Sequence, residues 1–271
     1  VSHRLRRHLR HLIAYANITL KEQTAFTGWF WSDLLGQVVL MLLFSAFWQA
    51  VYQGRESLGG LSAQQTLAYV LVVNTVGLVV RWSLIWEFGV MIRDGSIAVE
   101  LLRPVDFQLR MYAKMTTTML FTMGQQMLLL GLVAVLVLGL RLPADPLVWL
   151  SFLLSLLVGN AILFFFDWTL SLVAFYSTEV RGLMIFRDGI ASFFSGFLIP
   201  PAIMPDWLQR VAAFLPFGQV LNSPAMILTG IVPLSEVPRI LGVQLLWLVG
   251  LVLISRPAFR VAIRHVTVQG G

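Results

Sequence analysis

Residues 147–166 read LVWLSFLLSLLVGNAILFFF, twenty consecutive positions without a charge. A helix rising 1.5 Å per residue needs about 20 residues to cross roughly 30 Å of hydrocarbon. The run therefore reads as a membrane span starting at Leu147, with an apolar continuation to Phe175. In lipid every backbone polar group must find its partner inside the protein, which favours a helix for such a segment.

The composition of the whole chain agrees. Of its 271 residues, 58% are hydrophobic and only 12% charged, with mean hydropathy +0.82. A soluble domain would carry about a quarter charged residues. Further apolar runs lie at Leu34–Tyr52, Leu67–Trp86, Thr116–Leu140, Gly189–Ile203 and Ile240–Ser255. The fifth is short unless Leu183–Asp188 is added, and the sixth needs flanking residues. The expected fold is an all-α membrane protein with six transmembrane helices. Its expected parts are an interfacial helix (1–30), spans one and two (34–86), a cytoplasmic loop (89–110) and spans three and four (116–175). A fifth span (183–203), an external or re-entrant segment (204–237), a sixth span (238–256) and a cytoplasmic tail (257–271) follow.

Charge placement orients these spans. The net charge is +6 and the pI about 10.3, which could suggest nucleic acid. The basic residues, however, lie between apolar runs, where the positive-inside rule puts them. With six spans and both termini cytoplasmic, fifteen of the nineteen Lys and Arg fall inside or at the inner boundary. Only Arg55, Arg141, Arg210 and Arg239 remain outside. At the start, Leu5, Leu9, Leu12, Ile13, Ala16 and Leu20 recur at helical spacing, with Arg4, Arg6, Arg7 and Arg10 on other faces. This pattern predicts an amphipathic helix on an anionic leaflet.

Several chemistries are excluded. Cysteine is absent, so there is no disulfide or zinc–thiolate site. The four histidines lie at positions 3, 8, 11 and 265, near the termini. No glycine-rich phosphate loop exists, because the only lysines are Lys21 and Lys114, followed by Glu22 and Met115. No serine nucleophile elbow is present, and Asn17-Ile18-Thr19 matches a glycosylation sequon on the expected cytoplasmic side. Nothing points to an enzyme, and no cofactor is expected on this chain. Asp167 reads as an interfacial carboxylate, with an intramembrane cation site or a salt bridge as alternatives. Arg81 and Glu87 read as an interface pair.

Two connecting segments stand out. Residues 200–238 hold seven of the eleven prolines, yet include apolar stretches such as Val211–Phe217. Proline at that density forbids one regular span. Short helices dipping in from outside are expected, with an apolar loop packed on the spans as the alternative. The other segment runs Met91-Ile92-Arg93-Asp94-Gly95-Ser96-Ile97-Ala98-Val99-Glu100-Leu101-Leu102-Arg103-Pro104. Arg93-Asp94-Gly95 is turn chemistry, Ser96 can cap a helix, and Pro104 stops one by disfavouring helix at Arg103. Two readings of this short helix stay open: a connector resting on headgroups, or an apolar knob gripped by a protein.

Ile92-Arg93-Asp94-Gly95…Leu101-Leu102-Arg103-Pro104 resembles the signature of bacterial ABC-type-two permeases, a class that includes daunorubicin-resistance-like and polysaccharide exporters. Gly196-Phe197-Leu198-Ile199-Pro200…Met204-Pro205-Asp206-Trp207-Leu208, continuing to Leu215-Pro216-Phe217, Pro224 and Gly230, is similar to the region after their fifth span. The resemblance covers nearly the whole chain. It implies a permease working as a dimer, with itself or a similar chain, plus two separate ATPase subunits that bind ATP and Mg. It implies a bacterial cytoplasmic membrane. It makes the short helix the ATPase-coupling element, with Arg93, Asp94, Gly95, Ser96, Glu100, Leu101, Leu102, Arg103 and Pro104. The first span and fifth-span region would line the pathway, and the proline-rich segment would close the outer gate. Phe193, Phe194, Phe197, Pro200, Met204 and Phe217 are the pathway or gate candidates, with plain helix packing as their other reading.

The expected function is thus an exporter permease acting by ATP-driven alternating access. Phe and Met enrichment would suit a drug-like, cationic or amphipathic substrate, though lipid-facing spans share that composition. An ion-coupled transporter or channel would need intramembrane acids, and only Asp167 offers itself. A non-transporting scaffold is the third class.

Overall fold

The computed structural model describes residues 27–77, 84–177 and 179–265. Residues 1–26 of the expected interfacial helix, and Arg81, lie outside these residues. The first span is α1 (Thr27–Val51), which starts seven residues before Leu34. A two-strand hairpin follows, β1 (Ser57–Leu58) and β2 (Leu61–Ser62), paired Ser57 to Ser62 and Leu58 to Leu61. Its turn is Gly59-Gly60, both at positive φ, the backbone that a two-residue hairpin turn requires. Tyr52 closes the corner: its hydroxyl lies 2.6 Å from Thr66 Oγ1 and donates to the Leu61 carbonyl at 3.1 Å.

Where the second span was expected, the described residues form α2 (Ala63–Gly77) and α3 (Leu84–Arg93), neither long enough by itself to cross a membrane. Then come the short α4 (Ser96–Leu102) and α5 (Phe107–Thr122), which passes through a π-helical turn at Met123–Met127 into α6 (Leu128–Leu136). The third span therefore begins at Phe107, nine residues before Thr116. Residues 89–110 are mostly helical and are not a single loop. Asp106 sets the start of α5, its carboxylate accepting from Leu109 N at 2.8 Å.

The deciding stretch forms α7 (Pro146–Ser171), extended by a 3-10 turn through Phe175. Asp145 caps it, accepting from Leu147 N at 2.8 Å, and Pro146 occupies the first turn, where its missing N–H costs nothing. The expected fifth span is corrected: α8 covers Arg181–Phe194 only, fourteen residues. At 1.5 Å per residue that is about 21 Å, less than a bilayer. The chain then turns through Gly196 at φ +85° and a 3-10 turn at Pro201–Ile203. Three short helices follow, α9 (Asp206–Phe214), α10 (Phe217–Val220) and α11 (Asn222–Leu228), with a 72° bend between α9 and the α10–α11 pair. Last is α12 (Val237–Ala262), which runs through Pro257 and so extends the sixth span into the expected tail.

Among the described residues four helices are long and apolar enough to cross a membrane, and the bent α9–α11 pair makes up to five. Side-chain partners give their directions. Phe107 meets Trp168 while Tyr112 meets Phe164, so α5 runs antiparallel to α7. Gln244 bonds Ser155 while Phe259 meets Trp168, so α12 runs parallel to α7. The chain must therefore travel back along the bundle between Phe175 and Val237.

The core gathers around α7, where 56% of the apolar span is buried, against 22% or less in the other three. Gly159 permits its closest approach, since a Cβ there would lie 3.0 Å from the Gln219 carbonyl oxygen and 3.1 Å from Val220 Cα. Gln244 knits the contact together, donating to Ser155 Oγ at 3.0 Å and to the Gln219 carbonyl at 2.7 Å. Phe217 packs edge-on against Phe166 at 4.9 Å. Phe166 lies twenty residues into α7, about 30 Å along its axis. The proline-rich segment is thus seated deep against a membrane helix.

Candidate functional site

The short helix α4 is built by its flanks. Gly95 precedes it at φ +75°, and the Asp94 carboxylate accepts from Ser96 N at 2.9 Å and from Ser96 Oγ at 2.7 Å. The helix start is therefore capped by Asp94, and Ser96 acts as the donor, the reverse of the expected role. The Ser96 hydroxyl, and then its amide, hold the Asp94 carboxyl below the usual carboxylate range. At the far end Arg103 is extended, with φ −68° and ψ 140°, as a residue before proline must be.

The seven residues then divide by face. Ile97 is buried in the core and Leu101 leans on it, while Val99 is 60% and Leu102 85% exposed. Of the two expected leucines, only Leu102 stands clear, and Val99 joins it. A three-residue offset on a helix puts both on one side. Glu100 faces inward to ion pairs, with Arg110 at 2.5 Å and Arg103 at 3.0 Å. The Arg110 guanidinium also donates to the Glu100 carbonyl at 2.6 Å and sits over the Phe107 ring. Arg93 is exposed and lies 5.2 Å from the Trp86 ring centroid.

More ion pairs brace this end of the bundle. Glu87 bonds Lys114 at 2.6 Å, joining α3 to α5. Glu87 was expected to pair with Arg81, which lies outside the described residues. Asp106 pairs with Arg256, tying the start of α5 to α12. Replacing Arg110 with Met should loosen α4, because Glu100 would keep only the exposed Arg103. Amide exchange across residues 96–102 is expected to speed up about tenfold or more, with α7 unchanged.

A second site lies inside the bundle. Asp167 and Arg187 are both buried, and Arg187 Nε and NH2 donate to the two Asp167 oxygens at 2.7 and 2.6 Å. The third nitrogen, NH1, donates to Asp188 at 2.9 Å. Asp167 is therefore half of a bidentate salt bridge, one of the alternatives its position left open. Arg187, counted among the cytoplasmic charges, is buried in the protein. Beside the pair lies a cavity of about 200 Å³ lined by Arg187, Asp188, Ser192, Ser195, Phe197 and Phe217, among others. A second cavity of about 310 Å³ is lined by Phe194, Pro200, Tyr69, Gln209 and Asn222, among others.

The pathway candidates are therefore divided. Phe197 and Phe217 line the first cavity, and Phe194 and Pro200 the second. Met204 is buried and Phe193 stacks edge-on with Phe194 at 5.1 Å, and neither lines these two cavities. A third, almost wholly apolar cavity of about 570 Å³ lies between α2, α6 and the π-turn methionines Met123 and Met127. The sequence carried no signal for it, since a π-turn leaves no composition mark. Among the described residues no cluster of His, Asp and Glu could hold a metal ion.

The family model for ABC-2 family transporter proteins matches residues 36–270. The chain belongs to the ABC-2 transporter family. Neither a search of curated proteins nor one of solved structures gives a match. An ABC-2 permease is the transmembrane component of its transporter and generally partners with a separate ATPase subunit. For this ABC-2 permease the apolar helices agree with a multi-pass membrane protein.

Proposed function

We propose that this chain is the membrane-spanning half of an ATP-driven exporter, moving an amphipathic molecule outward by alternating access. The observation that carries the reading is α4: a short helix braced from behind by Glu100–Arg110 and presenting Val99 and Leu102 outward. An exposed apolar pair on a rigid mount suits a cleft in another protein better than a flexible tether does. Arg93, Asp94, Gly95, Ser96, Arg103 and Pro104 shape that mount and its rim. Two ATPase subunits would grip two copies of it, on this chain and on a second permease, identical or similar. ATP and Mg would be bound by those subunits.

The transmission route is the ion-paired end of the bundle. Movement of α4 would pass to α5 through Arg110, and to α12 through Asp106 and Arg256. Nucleotide and substrate must each bind two states with different affinity for this to couple them. Six crossings, with both termini in the cytoplasm of a bacterium, fit the parallel run of α7 and α12, which needs one return between them. In this reading the return uses α8, and α9–α11 re-enter from outside to form the outer closure. Their close seat on α7 at Gly159, midway along that helix, supports re-entry over an external loop.

The test is capture. Val99→Asp with Leu102→Asp should reduce co-purification of the ATPase partner about tenfold or more, while the permease stays monodisperse. Undiminished capture and undiminished stimulated hydrolysis would remove α4 from the contact. An ion-coupled carrier has one observation in its favour, the acid at Asp167. That carboxylate is already held by Arg187 through both oxygens, which leaves it poorly placed to exchange ions.

A further inference from the structure

We infer that the cavity beside Arg187 binds an ammonium group carrying an aromatic or alkyl tail, with Asp188 and Ser195 as its polar contacts. The charge balance points to a cation. Among the described residues two carboxylates, Asp167 and Asp188, surround a single guanidinium, so this cluster holds one negative charge in excess. All three Arg187 nitrogens already donate to carboxylates, which leaves little for an anion. An excess negative charge of this kind attracts a cation.

The remaining groups suit an ammonium. The Asp188 side chain is 47% exposed and uses one oxygen on Arg187, so its other oxygen is open to a donor. Ser195 lines the same cavity and is only 5% exposed. Its hydroxyl oxygen can accept from a bound N–H donor there. The Phe197 and Phe217 rings line the same cavity, and an aromatic face attracts a cation. The volume of about 200 Å³ limits the bound part to a small head with one ring or a short chain.

Calling this ligand a substrate rests on the exporter reading; the binding itself does not. The full-length permease in lipid nanodiscs would be titrated with 2-phenylethylammonium, with 2-phenylethanol as the neutral isostere and 3-phenylpropionate as the anion. Saturable ammonium binding, about tenfold or more tighter than the alcohol, is expected, with none for the anion. Asp188→Asn should weaken it about tenfold and Ser195→Ala about threefold, since each removes one polar contact and leaves the Asp167–Arg187 pair in place. Equal binding of the alcohol, absence of ammonium binding, or unchanged affinity in either variant overturns the assignment. The alcohol comparison needs no variant, so it stands even if one misfolds. If the unmodified permease captures an ATPase but does not bind the ammonium, this site alone is refuted; if it binds the ammonium but captures no ATPase, the exporter reading alone is refuted.

Discussion

Arg187→Met is expected to destabilise the permease by about 3–5 kcal/mol, because it strands a buried carboxylate. Asp167 is 1% exposed and has Arg187 on both oxygens. Removing the guanidinium leaves that charge with no opposite charge and no water. Asp167→Asn should cost less. The guanidinium it leaves behind still pairs with Asp188, which is half exposed and partly solvated. Joining the two changes, as Asp167→Leu with Arg187→Met, should recover most of the loss, since an apolar pair needs no desolvation. Thermal unfolding in detergent, followed by tryptophan fluorescence, gives all three values. Equal losses in both single variants, or no recovery in the double, would mean the pair is not what holds α8 to α7.

Gly159→Leu should unseat the proline-rich segment. The atoms a side chain would meet are the Gln219 carbonyl and Val220 Cα, at 3.0 and 3.1 Å from the first carbon alone. Both belong to backbone, so neither can rotate away and α10 must move as a body. The Gln244 bond to the Gln219 carbonyl would break and the Phe217 edge contact on Phe166 would open. Overpacking costs about 1–3 kcal/mol and the lost hydrogen bond about 1 more. The chain contains no cysteine, so one introduced thiol is a clean reporter. Ser223 is 6% exposed, and Ser223→Cys should resist a water-soluble thiol reagent. Adding Gly159→Leu should make it react about tenfold faster or more. Gly159→Ala, which adds one carbon, should fall between. An unchanged reaction rate would show that α10 tolerates the wedge and that the seat is loose.

Parts of this architecture were legible because lipid makes a blunt demand. A run with no charge from Leu147 to Phe166 had to be a helix, and its continuation to Phe175 is present. The short helix ending before Pro104 was also legible, because proline forbids helix at the residue before it. Its faces were not. Leu101 and Leu102 are adjacent in sequence, and only the docking of Ile97 into the core decides that Leu102 stands outward. The hairpin at Gly59-Gly60 went unread because two-residue strands leave no periodicity.

The buried ion pair shows the same division. Asp167 and Arg187 are twenty positions apart on separate helices, and no spacing rule joins them. Read singly, each looked like a boundary charge, because a charge in lipid is too costly to assume. The Arg187 side chain, reaching from α8 to Asp167 on α7, supplies the partner that makes each tolerable. The sequence by itself determined that this chain crosses a membrane repeatedly, where its basic residues gather, and which two connectors are unusual. Hydropathy and proline act within a few residues, so one dimension records them. Only the tertiary structure decided which charges pair, which leucine faces outward and how deep the proline-rich segment sits. Those depend on contacts between helices far apart in the chain.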